Sequence, residues 1–522
     1  MERSEAEVPR GHGEVLTRPR YEEWAALAAA NADAASAWDF RVSGTHVGEL
    51  RALARREALA AAAAFSERLG VRVMSVDAPE LVVMTGHQPE LYHPGVWAKD
   101  FLLQRLADDT GAAALDCVVD SDAFEAVAVV SPCMRPGVSR CHSYLALGAP
   151  DACWACSPPP SGREIEDFRR GGLESLESLR APAIARHFGR FCDHLRSALP
   201  DSSNLAELLT ISRRRYEASA GTTYLELPVS AESRGNAFAS FFADVALRAE
   251  EFAEVHDGEV AAYRSRNRLR GKTRPFPDLR RDEGLVELPF WQLGRRRRAL
   301  WARTGSRPAV VVAGGEVLLD LPRDPVEAAN AVASAGLSLA PRAVTLTMFN
   351  RLFVCDLFIH GAGGALYDVV TDAIVRRFYG AEPPRYVVAS MTMYLPLGFH
   401  AVTSAEVAAA EEKLNRIAHN PDQLLDECAF EDPAERREAF ALADEKARLT
   451  ADIRREGADK KAIGARIREV NERLALLLSP LADELGRELE SLKAQLEAAD
   501  IMTDRTYPFC FWSPEEVADK LR

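Results

Sequence analysis

The feature that most constrains this chain is a strand–helix–strand order in residues 80–122. Residues 80–85 form a short apolar run, β-branched in part, that stops at Gly86, as a buried strand does on entering a turn. Pro94-Gly95 extends the turn, and residues 96–107 carry the apolar spacing of a helix. A second apolar run, 112–119, ends in Asp120-Ser121-Asp122. Two strands joined in this way are parallel and their crossover right-handed, and ligands of such sheets bind beyond the carboxyl ends of the strands. The predicted fold class is α/β, with a Rossmann-like parallel-sheet core. His87-Gln88 and the aspartates then fall at one rim.

Around this unit the chain divides by composition. Residues 1–78 read as an N-terminal helical segment, Ala-rich over 58–65 and without visible chemistry. The core is expected over 79–402, with an insertion at about 131–230 where Pro/Cys-rich turns and helical stretches mix. Helical sequence over 236–254 precedes strand-like runs at 285–291, 309–313, 344–347, 352–359 and 386–390. Residues 403–500 become rich in Ala, Leu, Glu, Lys and Arg. There Ile463, Ile467, Val470, Leu474, Leu478, Leu481, Leu485, Leu489, Leu492 and Leu496 step by three and four, the rhythm of a coiled-coil seam. A C-terminal α-helical coiled-coil domain is predicted, built as a helical hairpin and serving as a homodimer interface. Residues 501–522 form a tail packing on the core.

Bulk properties narrow the function class. With 522 residues and 47% hydrophobic content, the chain should hold about two to four structural units. Its N-terminus lacks the apolar stretch of a signal peptide, and no run of about 18 apolar residues suggests a membrane span, so a soluble, cytoplasmic protein is expected. A net charge of -14 argues against a nucleic-acid partner, which requires a basic face. The nine cysteines are an odd number in a large chain and read as thiols rather than a disulfide framework. There is no GxxxxGK[ST], GxSxG or HExxH motif.

Four places can carry chemistry. Thr85-Gly86-His87-Gln88, with His93 and Lys99 downstream, sets a turn, two imidazoles and an ammonium at a helix N-terminus, which attracts anions; a turn whose histidines cap backbone fits equally. Asp120, Asp122 and Glu125 suit magnesium, an amine or a general base, or equally a set of N-caps. Gly361, Gly363, Gly364 and Tyr367 lie in a Gly-rich turn after an apolar strand; Leu366 stands where the dinucleotide fingerprint wants Gly or Ala, so a conventional NAD site is excluded while close backbone approach to a ligand is not. Cys133, Cys141, Cys153 and Cys156 supply enough ligands for a structural zinc; a redox pair or ordinary thiols, the commonest case, are the other readings. The basic run from Arg264 to Arg274 and the block 295–298 are read as solvated faces.

Three of these places resemble the cysteine-adding (BshC-like) enzymes of bacillithiol biosynthesis. Thr85-Gly-His-Gln with Pro94-Gly-Val-Trp-Ala-Lys99 resembles that family's TGQQ…GP.Y…K element, and 118–125 is similar to its EDHDF.E element. The Gly-rich stretch 359–368 sits at its AYVGGGAE-like turn, and Asp504-Arg-Thr-Tyr-Pro508 resembles its ER.YN segment, so the similarity spans roughly 80–515. His87 replaces a Gln and Ser121 a His, which points to a diverged member. His87-Gln88-Pro89 is also similar to the opening of the WbqC-like proteins. The resemblance implies a Rossmann-like core, subunit pairing through a coiled coil, and addition of cysteine to glucosaminyl malate; because joining a carboxylate to an amine in water is uphill, a nucleotide- or phosphate-linked acyl intermediate is expected, with ATP and magnesium as the cofactors. In that scheme His87, His93 and Lys99 bind the anionic group and Asp120 and Asp122 hold the amine or magnesium. Two further readings are a nucleotidyl- or acyl-transferase acting on a sugar and a non-catalytic coiled-coil scaffold.

Overall fold

The computed structural model describes all residues except 1–7, 71–78, 135–137, 270–275, 306, 313–314, 398–401, 454 and 456–457. The chain divides into two compact units, 1–134 with 140–395 and 505–522, and 396–504 with 135–139. Among the described residues no helix is long and apolar enough to cross a membrane.

The first unit is a mixed α/β structure built on a mostly parallel six-stranded sheet. Its strands are β1 (Val15–Arg18), β2 (Val82–His87), β3 (Ala113–Val118), β4 (Leu225–Pro228), β5 (Leu357–His360) and β6 (Val387–Met391), in the spatial order β1-β6-β5-β2-β3-β4. All neighbours are parallel except β1, which runs antiparallel along β6. Residues 1–78 are therefore more than a helical segment, because they supply an edge strand. The expected insertion at 131–230 likewise contains β4, a fully buried strand of the sheet; its four-residue run is too short for composition to separate from the helices around it. The run at 344–347 is not a strand but lies in the helix Ala343–Phe349, and residues 350–354 form a π-turn before β5 begins.

Strand alternation divides the packing. Val82, Met84, Leu115 and Cys117 join a core with the helices Val47–Arg68 and Asn236–Leu247, and the intervening buried residues Val83 and Ala114 face the other way. The helix α1 (Pro94–Thr110), with Pro94 at its first position and Gly111 in the left-handed conformation (φ 70°) at its end, packs on β2, β3 and β6. A buried charge cluster ties these layers together. Arg213 donates to Asp100 (2.7 Å), Asp116 (2.8 Å) and Glu226 (2.9 Å), and Arg214 to Glu217 (3.0 Å). Burial first, and the Asp116 carboxylate next, push the Asp100 carboxyl up to about 7. Phe509, Phe511 and Trp512 of the C-terminal segment are buried, and the Tyr216 hydroxyl donates to the Trp512 carbonyl at 2.6 Å.

A second, antiparallel sheet occupies residues 281–341, its strands in the order Val317–Asp320, Ala309–Val312, Arg298–Arg303, Leu285–Gln292, Leu339–Pro341. The helical unit contains Ser404–His419, Pro433–Asp452, Lys460–Leu477 and Ser479–Met502. Of the predicted seam, Val470, Leu474, Leu478, Leu481 and Leu485 are buried against Ile417, Leu424, Leu425 and Ala439 of the same unit.

Candidate functional site

β2 and β3 run side by side, with Gly86 opposite Cys117 and His87 opposite Val118. A Cβ on Gly86 would lie 2.8 Å from the Cys117 carbonyl oxygen and 2.9 Å from its Cβ, so glycine is required there. Just past the ends, the Gln88 Nε2 amide donates to Asp122 Oδ2 (3.1 Å), while Arg297 Nη1 donates to Asp122 Oδ1 (2.6 Å). Loops 34 residues apart and a segment of the second sheet thus meet at one carboxylate. They border a cleft of about 450 Å³ whose walls include His87, Asp122, His256, Trp291, Arg297, Arg342 and His360.

Three imidazoles face this cleft. His87 Nδ1 lies 3.1 Å from the Gln88 carbonyl, which only accepts, so Nδ1 carries the proton and Nε2 is an acceptor. Burial, reinforced by the Lys99 ammonium, holds the His87 imidazolium down to about 3, and the ring is neutral. His256 Nδ1 is 3.0 Å from Asp257 Oδ1. His360 ends β5, and its Nε2 meets Asp368 Oδ2 at 2.9 Å; Asp368 also receives Arg351 at 2.5 Å. Burial works to raise the Asp368 carboxyl, but Arg351 and His360 outweigh it and hold the group far below the carboxylate range. A permanently ionised Asp368 fixes the Nε2–H tautomer of His360, leaving Nδ1 as a base. Burial lowers the His360 imidazolium, against the opposing pull of Asp368.

The opposite wall is cationic and aromatic. Arg342 and Arg297 lie 3.9 and 4.6 Å from the Trp291 ring centroid, and Arg342 also binds Glu287 at 2.7 Å. The buried Nε groups of both arginines and Asn350 Oδ1 make no hydrogen bond among the described residues. A guanidinium with an unused donor beside a carboxylate suits a ligand bearing both charges.

The remaining predicted residues take other places. Thr85 is buried and its hydroxyl donates to the Ile359 carbonyl (2.9 Å), joining β2 to β5. Lys99 is buried too, and its Nζ donates to the Gly86 carbonyl (2.8 Å) from behind the cleft; burial lowers its ammonium. His93 caps α1, its Nδ1 accepting from Gly95 N–H at 3.0 Å, which is the capping alternative. Lys99 and His93 therefore do not line the cleft with His87.

Asp120 points across β3 to a separate cleft, where its carboxylate accepts from the Ser230 amide (2.9 Å) and hydroxyl; burial raises it to about 6. Alternation alone would put Asp122 on the side of Val118 and Asp120, but the strand ends at Val118 and the chain turns at 120–121, which carries Asp122 to the cleft of Cys117, Val119 and Ser121. One ion held jointly by Asp120 and Asp122 is excluded by this divergence. Glu125 is exposed where the ribbon strand Ala126–Met134 begins. Gly361 is the N-cap of the helix Ala362–Tyr379, Gly363 and Gly364 are exposed in its first turn, and the Tyr367 ring lies 6.2 Å from Phe276 at the cleft wall.

The four cysteines offered for zinc form two disulfides instead, Cys133–Cys141 and Cys153–Cys156, with Cα separations of 6.0 and 5.0 Å. The hairpin Ala126–Met134/Val138–Leu147 and the Cys-Trp-Ala-Cys turn bring each pair together separately, and no thiolates remain for a metal. Among the described residues no group of three or more His, Cys, Asp or Glu could hold a metal. The block 295–298 is only in part a solvated face, since Arg297 turns into the cleft while Arg295 and Arg296 stay exposed. Arg270, Lys272 and Arg274 lie outside the described residues. His256, His360, Asp368 and Arg342 were not among the residues expected from sequence; the one available signal was a histidine at the predicted end of a strand followed by Asp368. No protein-family model matches this chain, and neither does any curated protein.

Proposed function

We propose that the protein is a cytoplasmic, diverged BshC-like ligase that joins the carboxyl group of cysteine to the amine of an amino-sugar malate. The observation that supports this is the meeting of Gln88, Asp122 and Arg297 in one cleft with the His360–Asp368 pair. Arg297 and Arg342 would receive a substrate carboxylate, and Asp122 the substrate ammonium. His360 Nδ1 would take the proton that the ammonium must lose before its nitrogen attacks the acyl carbon. His87, neutral, would accept a hydrogen bond from a sugar hydroxyl.

Amide formation in water is uphill, so the proposal includes activation of the carboxyl group by ATP with magnesium. The protein's own contribution is then orientation and proton removal. Subunit pairing, as a homodimer, is assigned to the helical unit, where Leu476 is 65% exposed. The experiment is to incubate the purified protein with cysteine, glucosaminyl malate and ATP and to follow the thiol conjugate by mass. A conjugate that vanishes in His360→Ala supports the proposal; none at all, with a control ligase working in the same mixture, overturns it.

A further inference from the structure

The turn that supports both Asp122 and Arg297 is itself cross-linked. Cys153 and Cys156 close a disulfide across Trp154 and Ala155, and this turn is pinned to the chain leaving β3. The Trp154 amide donates to the Asp122 carbonyl (3.2 Å) and the Ala155 amide to the Asp120 carbonyl (2.8 Å). Ala123 bridges Cys153, and the Trp154 ring stacks on Phe124 at 4.5 Å. Just upstream the Asp151 carbonyl accepts from the Arg297 amide (2.9 Å). Both members of the cleft's ion pair therefore hang, through the main chain, on the disulfide turn.

The two sulfurs differ in access. Cys153 is fully buried, whereas Cys156 is half-buried and lines the second cleft, of about 280 Å³. That cleft is lined by Arg234, by Arg68 and Glu207, which pair with each other at 3.2 Å, and by Asp120, which accepts from Ser230. It also carries Thr210, 1% exposed, whose hydroxyl makes no hydrogen bond among the described residues. Charges of both signs and an unused hydroxyl around an accessible disulfide sulfur suit a small thiol that bears an ammonium and a carboxylate.

We propose that Cys153–Cys156 is a thiol-reactive disulfide, opened at Cys156 by a small amino-acid-like thiol that binds in this second cleft. The incoming thiol loses its proton to water, and its sulfur attacks Cys156 Sγ. The bond from Cys156 Sγ to Cys153 Sγ breaks as the bond to the ligand sulfur forms, and Cys153 leaves as a thiolate that takes up a proton. One disulfide is exchanged for another, so no outside oxidant or reductant is needed. The turn then loses its cross-link, and with it the brace under Asp122 and Arg297. This inference does not depend on the ligase reading.

The test treats the full chain with cysteine or, as an uncharged comparison, 2-mercaptoethanol, quenches in acid and maps the peptides by mass. The expected result is a cysteine adduct on Cys156 while Cys133–Cys141 stays closed, formed, per thiolate present at the working pH, about tenfold faster than the 2-mercaptoethanol adduct, as one charge-assisted contact would give. Hydrogen exchange of the 120–124 amides should rise with the adduct. Because Cys153 can close the ring again, Cys153→Ser treated with cystine provides a trap and should gain an adduct at Cys156, mapped by peptide apart from any at the half-buried free thiol of Cys428. No adduct at Cys156 in either chain overturns the proposal, as do equal rates for the two thiols or labelling of Cys141 at the same rate.

Discussion

Two arginine-centred networks in the first unit use the same chemistry to different ends. Around Arg213 every guanidinium contact is a buried carboxylate or hydroxyl, drawn from α1, β3, β4, Tyr224 just before β4, and Glu217 of Arg213's own helix. Around Arg297 and Arg342 the carboxylates Asp122 and Glu287 satisfy part of each guanidinium, and an Nε–H of each is left over. The first network is closed and holds strands and helices together. The second is open toward a cleft, and its unused donors are what a ligand would complete. Among the described residues no buried Arg213 nitrogen lacks a hydrogen bond, whereas Arg297 and Arg342 each have an unused Nε and line a cleft; the neighbouring Arg214 Nε is also unused, so it is the combination with a cleft that marks a binding cluster.

That contrast can be broken most severely at the closed network. Arg213→Met leaves Asp100, Asp116 and Glu226 buried without their partner and should destabilise the first unit by about 3–5 kcal/mol in urea unfolding followed by circular dichroism; a loss no larger than that of a surface substitution would put the two networks in one class. Next in size is the base. His360→Ala should lower kcat of the conjugation on the order of 10²–10³-fold with little change in unfolding midpoint, and Asp368→Asn should do nearly as much by freeing the ring's tautomer. Asp122→Asn removes one charge from the open network and should raise KM about tenfold to a hundredfold, the range of a charge-assisted hydrogen bond, without altering stability.

A further test is on pH dependence. In the folded chain His87 is held down to about 3 from its ordinary 6.5, so between those values the unfolded chain binds the extra proton. Stability should fall as pH drops below about 6.5, and His87→Gln should flatten that part of the profile. An unchanged profile would mean that His87 is more open to water than its neutral, cleft-wall position implies.

Much of this architecture could be read locally. The β2–α1–β3 unit announces itself because apolar runs and a Pro-Gly helix start are short-range signals, and the same unit carries His87, Gln88 and Asp122 to one rim. The second sheet could not be read in full, since its strand Arg298–Arg303 is charged at both ends and takes its identity from pairing with neighbours on either side. Residues 344–347, Val-Thr-Leu-Thr, look like a strand, yet the Thr345 hydroxyl accepts from the Arg342 amide (3.1 Å) and donates to the Pro289 carbonyl (2.7 Å), which fixes a helix start. The His360–Asp368 contact spans a strand end and two turns of helix; the Cys153–Cys156 pairing matches the redox-pair reading of the Cys-x-x-Cys spacing, whereas Cys133–Cys141 has no such signature. Asp120 and Asp122 looked like one cluster because residues two apart share a face of a strand, whereas the strand ends at Val118 and the turn at 120–121 sends them to different clefts.

The central claim is that the cleft shared by His87, Asp122, Arg297 and His360, rather than the cleft of Asp120, receives the substrate. Calorimetric titration of glucosaminyl malate into Arg297→Ala and Asp120→Asn tests it directly. The account predicts binding weakened about tenfold to a hundredfold by Arg297→Ala and unchanged by Asp120→Asn; the reverse pattern, or equal weakening by both, would contradict it.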